Sequence, residues 1–198
     1  VFATYGKARD RWGIDQGPGL EGMGYMDLAR YYDNGQELDL AHDARAIRWM
    51  QDHIVGSPVI AEANTPLYRW GGRVSVYTGL PSIIGWDWHQ KQQRAALSST
   101  VVDWRLQDLH ELYSSTGIER TEGLLDLYDV GYIYVGELER VYYDAQGLAK
   151  FDAMVGDTLE VTYQSGPVTI YRVKGSGTLH LTSPRAPSLL DRLADRLD

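Results

Sequence analysis

The densest gathering of residues able to do chemistry lies between positions 62 and 94, in EANTPLYRWGGRVSVYTGLPSIIGWDWHQKQQR. Glu62 and His89 are the acid and base candidates, because carboxyl and imidazole groups reach catalytic pKa values with modest tuning by their surroundings. A glycoside hydrolase built on Glu62 needs a second carboxyl about 5–5.5 Å away for retention, or about 6.5–9.5 Å away for inversion. Spacing along a chain cannot supply that distance. A metal held by His89, Asp87 and Glu62 lacks a ligand-spacing signature, so no metal and no cofactor is expected. The architectural alternative is favoured over catalysis: Glu62 pairs with Arg73 or Arg94 and fixes two loops together, with Trp70 and Trp86 filling the gap. Glu137 and Glu139, just beyond YIYV at 132–135, either face the same cleft or form an edge charge pattern.

Elsewhere the chemistry-bearing residues are sparse. There is no phosphate loop, no His-Glu-x-x-His, no dinucleotide fingerprint and no Gly-x-Ser-x-Gly elbow. The glycine-rich GPGLEGMG at 17–24 follows no predicted strand and reads as an irregular loop. His42, His53, His110 and His180 stand alone on predicted helix or strand surfaces, as solvated or capping groups.

The elements that must position these residues can be read from apolar spacing. Ala44, Ile47, Met50 and Ile54 recur every three or four residues and predict an amphipathic helix closed by Gly56 and Pro58. Residues 58–63 (PVIAEA) predict a strand, residues 73–78 a second, and 82–85 a third after the turn at 79–81. Glu62 and Asn64 then leave the first strand, Arg73 and Tyr77 lie on the next, and 86–94 follow the third, where α/β sheets usually hold ligands. Val102, Leu106, Leu109, Leu112 and Tyr113 mark another helix, and Thr121 is the expected N-cap of the next. A buried strand at 132–135, a helix at 147–154 and a hairpin pairing 158–163 with 168–173 complete the core. The fold class is α/β: a mixed sheet with a parallel centre and a C-terminal antiparallel hairpin at its edge, helices packed on it. The expected organisation is an irregular arm at 1–40, with a short helical turn near 26–32, an α/β core at 41–175, a linker at 176–187 and a terminal amphipathic helix at 188–198.

Composition narrows the partners. The chain of 198 residues has 19 Lys+Arg against 27 Asp+Glu, a net charge of -8 with no dense basic cluster, which argues against nucleic acid. With no cysteine, disulfides, cysteine-held zinc or iron–sulfur sites and thiol catalysis are excluded. No apolar run approaches the roughly 20 residues of a membrane helix. The chain starts at Val1, not Met, which suggests a piece of something longer. Its aromatics are 14 Tyr and 6 Trp against 2 Phe, rings that pair an apolar face with a polar handle and suit interfaces and carbohydrate stacking.

The ordered segments SPVIAEA, RVSVYTGLP, IIGWDWHQKQQR, LYDVGYIYVGELERVYY and GLAKF resemble the soluble C-terminal part of the YYY membrane proteins of Chloroflexi and archaea, large polytopic proteins of undetermined activity. More distantly, the layout is similar to the soluble domains that follow the membrane helices of GT-C glycosyltransferases, including the catalytic subunit of oligosaccharyltransferase, whose tryptophan-aspartate motif the GWDWH run resembles. The YYY resemblance spans residues 20–173. It implies a domain on the extracytoplasmic face of a prokaryotic membrane, partnered by the transmembrane part of the same polypeptide. Such a domain helps to position a lipid-linked sugar or acceptor and is not catalytic alone. By pattern, the implied substrate-binding positions are Glu62, Tyr77, Gly79, Trp86, His89, Gln93 and Arg94. GWDWH lacks the Tyr-Gly ending of the oligosaccharyltransferase motif, so recognition of a peptide sequon is not implied. Three alternatives stay open: a glycan-binding module, a self-sufficient hydrolase using Glu62 and His89, and a scaffold whose terminal helix docks a partner.

Overall fold

The computed structural model describes residues 22–95 and 99–176. The expected helix at 188–198, most of the linker before it and His180 lie outside the described residues, as does the greater part of the 1–40 stretch.

The mixed sheet expected from the sequence is present. Strands β3 (Val59–Ala61), β4 (Val130–Val135), β5 (Leu159–Ser165) and β6 (Val168–Val173) lie in the order β3-β4-β6-β5. The first pair is parallel, the others antiparallel. The returning strand of the C-terminal hairpin sits beside β4, which leaves β5 at the edge. Successive residues of β4 point to opposite faces, as pleating requires, and the apolar residues divide accordingly. Tyr134, Ile60 and Ile170 join one core with Leu40, Ala44, Ile47 and Met50 of helix α1 (Leu40–His53). Ile133, Ala61 and Tyr171 join the other, beneath helices α4 (Thr100–Ser114), α5 (Ile118–Leu127) and α7 (Ala145–Ala153). A sheet buried on both faces is the three-layer solution for an α/β chain.

Four local expectations are corrected. Residues 73–78 form helix α2 (Arg73–Thr78), not a strand. The alternation of Val74, Val76 and Thr78 with polar residues looks like a strand, but left-handed glycines bound the segment at both ends, Gly72 with φ 76° and Gly79 with φ 75°. The Glu62 carboxylate also accepts the Val74 and Ser75 N–H groups, two of the donors that a helix start leaves unpaired. Residues 82–85 supply only a single parallel bridge, Ser82 to Ile60, before helix α3 (Asp87–Gln93) begins. Thr121 is inside α5, its hydroxyl turned back onto the Gly117 carbonyl, while Gly117 holds the N-cap position. Within the stretch read as an irregular arm, β1 (Arg30–Asp33) and β2 (Gln36–Asp39) pair as a hairpin, following a 3-10 turn at Gly24–Asp27. Its two-residue turn, Asn34 (φ 46°) and Gly35 (φ 78°), has the doubly positive geometry that matches strand twist.

Candidate functional site

At the carboxyl ends of the parallel pair, where an α/β sheet commonly offers a ligand crevice, the chain places its own guanidinium. Arg73 is 2% exposed. Its Nε donates to Asp43 Oδ2 at 2.6 Å, its Nη1 to Glu139 Oε1 at 3.1 Å and its Nη2 to Glu139 Oε2 at 2.9 Å. Each acidic partner is itself fully engaged. Asp43, from α1, accepts the Tyr134 hydroxyl and the Trp70 indole N–H; Glu139, from helix α6 (Glu137–Tyr142), accepts the Ala63 and Gly136 N–H groups. The guanidinium also lies 5.0 Å from the centroid of the Tyr134 ring, a cation–π contact.

Glu62 faces the same charge at 4.0 Å, both its oxygens committed to the start of α2. Three carboxylates therefore share one guanidinium. Burial works to raise the Asp43 carboxyl, but Arg73, Tyr134 and Trp70 outweigh it and hold it below its ordinary range. For Glu62 the balance is reversed. Burial, helped by the Glu139 charge, pushes its carboxyl up to about 7 against the opposing pull of Arg73 and the two backbone donors. This cluster ties α1, the β3 and β4 ends, α2 and α6 into one unit, and it leaves no opening for a substrate at Glu62, which is 2% exposed.

A second arrangement, on the surface, is open. The loop after β3 and the first turn of α3 enclose a cavity of about 210 Å³ lined by Thr65, Leu67, Tyr68, Trp86, Asp87 and His89. Trp86 is half exposed at 50% yet fixed, its indole N–H donating to the Gly71 carbonyl at 3.1 Å. His89 packs between two rings, 5.3 Å from Trp86 and edge-on to Tyr68 at 6.4 Å between centroids. His89 Nδ1 is buried and has no hydrogen-bond partner among the described residues. Tyr68 is 83% exposed and has φ 61°, a left-handed backbone that a bulky side chain adopts at a cost. The result is an apolar, aromatic cup lined also by a carboxylate residue, a hydroxyl residue and a histidine, the composition of a small-molecule pocket.

Of the residues singled out from the sequence, the fold brings Trp86 and His89 together in this cup. Glu62 belongs to the buried cluster and does not line the cup, so the two are not arranged as an acid–base pair. Tyr77 shares a 2.7 Å hydrogen bond with Tyr25 beside the α1 core, and Gly79 closes α2. Gln93 and Arg94 are exposed at the end of α3, and no ion pair joins Arg94 to Glu62 among the described residues. Glu137 accepts the Asp39 N–H. No group of three metal-ligating side chains occurs among the described residues. Thr65, Leu67 and Tyr68 were not singled out from the sequence. The signal for them is the TPLYRWGG run, a proline and a glycine pair bracketing two aromatics, a loop that has rings to present.

No family model matches the chain, and no curated protein matches it. Among solved structures, the chain is similar to the crystal structure of the C-terminal globular domain of oligosaccharyltransferase from Archaeoglobus fulgidus, with a TM-score of 0.42 and 11% sequence identity over 66% of this chain and 95% of that one. A superposition of that quality assigns no residue role. No helix among the described residues is long and apolar enough to cross a membrane.

Proposed function

We propose that this chain is a glycan-holding domain that positions a saccharide without turning it over. The observation that carries the reading is the Trp86–Tyr68–His89 cup. A half-exposed indole clamped by its own N–H presents a flat apolar face to a sugar ring, while Asp87 on the cup's wall supplies an acceptor for its hydroxyls. The strained Tyr68 backbone supports it, since such strain persists where a side chain must be held in a set place. A domain of this kind fits the YYY resemblance of residues 20–173. On that resemblance we place it on the extracytoplasmic face of a prokaryotic membrane, beside the transmembrane part of a GT-C-like glycosyltransferase that carries the catalytic carboxylates. The hydrolase alternative is not favoured, because both oxygens of Glu62 are spent on backbone N–H groups.

Titrating the 198-residue chain with glucose, mannose and N-acetylglucosamine oligomers, read by tryptophan fluorescence and two-dimensional NMR, tests the reading. Saturable binding that shifts resonances around Trp86 and His89 is expected. Trp86→Ala is expected to weaken it about tenfold or more, the loss of one large aromatic face. Silence towards every saccharide tried, or sugar transfer by the chain alone, overturns the proposal.

A further inference from the structure

A second cavity, of about 280 Å³, lies on the other flank of β4 between α6, α7 and β6, and it shares no lining residue with the aromatic cup. Its walls are apolar where Val135, Leu148 and the Tyr143 and Tyr171 rings face it, and charged where Arg140 and Asp152 do. The arginine is immobilised without being neutralised. Its Nη1 donates to three main-chain carbonyls, those of Pro167 at 2.6 Å, Gly136 at 2.8 Å and Val135 at 3.4 Å. Among the described residues its Nε and Nη2 meet no acceptor, and no carboxylate pairs with it. A guanidinium anchored by one nitrogen keeps the fork that binds an oxyanion in bidentate fashion, with little ordering left to do on binding. On the wall of the same cavity, Asp152 Oδ1 receives the Tyr171 hydroxyl at 2.7 Å. Its other oxygen has no donor among the described residues and is available to a ligand hydroxyl.

We propose that this cavity binds a small hydroxylated anion, one ring in size, whose carboxylate or phosphate meets Arg140 and whose hydroxyls meet Asp152 while its apolar face rests on Leu148 and the tyrosines. The sum of these features exceeds a charged surface spot: a held cation, a carboxylate acceptor and apolar side chains all line one cavity of ring size. A bare anion satisfies only the first, and a neutral sugar only the second and third. The proposal stands independently of the reading of the cup.

Isothermal titration calorimetry of the full chain with glucuronate, glucose 6-phosphate, glucose and inorganic phosphate separates these cases. Either acidic sugar is expected to bind at least tenfold more tightly than both glucose and inorganic phosphate, and which of the two does so identifies the anion. Arg140→Gln is expected to reduce that binding at least tenfold. Because Arg140 also holds three carbonyls, a second variant leaves it in place. Ala149→Trp, at an exposed position lining the cavity, is expected to block binding while the melting temperature stays within a few degrees of the parent. Failure of both acidic sugars to bind, equal binding of glucose or of inorganic phosphate, or undiminished binding by a folded Ala149→Trp variant each overturns the proposal.

Discussion

Replacing Arg73 by Met tests whether the buried charge cluster is the joint that holds the layers together. The substitution keeps much of the side chain's length but removes four hydrogen bonds, two to Asp43 and two to Glu139, and leaves three carboxylates buried without a countercharge. Breaking a buried pair from one side costs about 3–5 kcal/mol. With two bidentate partners stranded, the upper half of that range is expected, a large share of the roughly 5–15 kcal/mol that holds a domain folded. With a urea slope of about 1–3 kcal/mol per molar, the midpoint at pH 7.5 should fall by roughly 1.5 M or more. The dependence on pH has a definite sign. In the variant, burial without Arg73 raises the folded-state pKa values of Asp43 and Glu62 above their unfolded values, so their contribution is present at low pH and lost as pH rises through the raised values. In the parent, Asp43 is held below its ordinary value of 3.8, so its contribution persists at pH 5 and is lost only in more acid solution. The gap between parent and variant should therefore be smaller at pH 5 than at pH 7.5. Adding Asp43→Asn and Glu139→Gln to Arg73→Met should recover part of the loss at pH 7.5, because two of the three stranded carboxylates are then replaced by neutral amides. A loss under about 1 kcal/mol, or a gap that does not change with pH, would refute the assignment of Arg73 as the joint.

Glu62, with its carboxyl pushed up to about 7 from an ordinary 4.5, should make the parent lose stability as pH rises between those values, by up to about 1.4 kcal/mol per pH unit; Glu62→Gln should flatten that slope in urea titrations. Tyr68→Asn should keep or raise the melting temperature, by up to about 1 kcal/mol of added stability as the left-handed backbone is relieved, and should weaken saccharide binding at the cup in the same preparation. Two glycine-to-alanine changes should diverge in thermal melting. Gly147→Ala puts a Cβ 2.4 Å from the Tyr113 carbonyl oxygen where α7 crosses the end of α4, and should destabilise by about 2 kcal/mol or more. Gly123→Ala, in the middle of α5 with nothing within 4 Å, should stabilise by about 0.5–1 kcal/mol.

The two cavities and the buried cluster divide the acidic and aromatic residues by role. Glu62 and Glu139 lie within a few residues of strand ends, as catalytic groups often do, yet each is consumed by a helix start, a loop amide or Arg73. Trp86 and His89 lie one helical turn apart at the start of α3, which is why a four-residue segment of the sequence could mark a cup wall.

Much of the scaffold was legible because periodicity is a local property. The α1 stripe at Ala44, Ile47 and Met50, the YIYV strand and the hairpin at 159–173 each carry their own spacing, and they appear as α1, β4 and the β5–β6 pair. The β1–β2 hairpin was missed despite its Asn34-Gly35 turn, because charged residues at Arg30, Asp33, Glu37 and Asp39 broke the apolar alternation that usually announces a strand. Residues 73–78 were not legible either. A valine-and-threonine segment has no intrinsic reason to be helical, and what turns it is a carboxylate 12 positions upstream that caps Val74, together with glycines at either end that only a left-handed backbone uses fully. The site divides the same way. That Trp, Tyr, His and Asp were concentrated in residues 62–94 could be read from residue types alone. Which of them face a cavity was decided by Arg73, which draws Asp43 from 30 positions upstream and Glu139 from 66 downstream into the crevice beyond β3 and β4. Burial free energy and charge pairing depend on neighbours distant in sequence, so only the tertiary structure could turn Glu62 into architecture and leave Trp86 in the open.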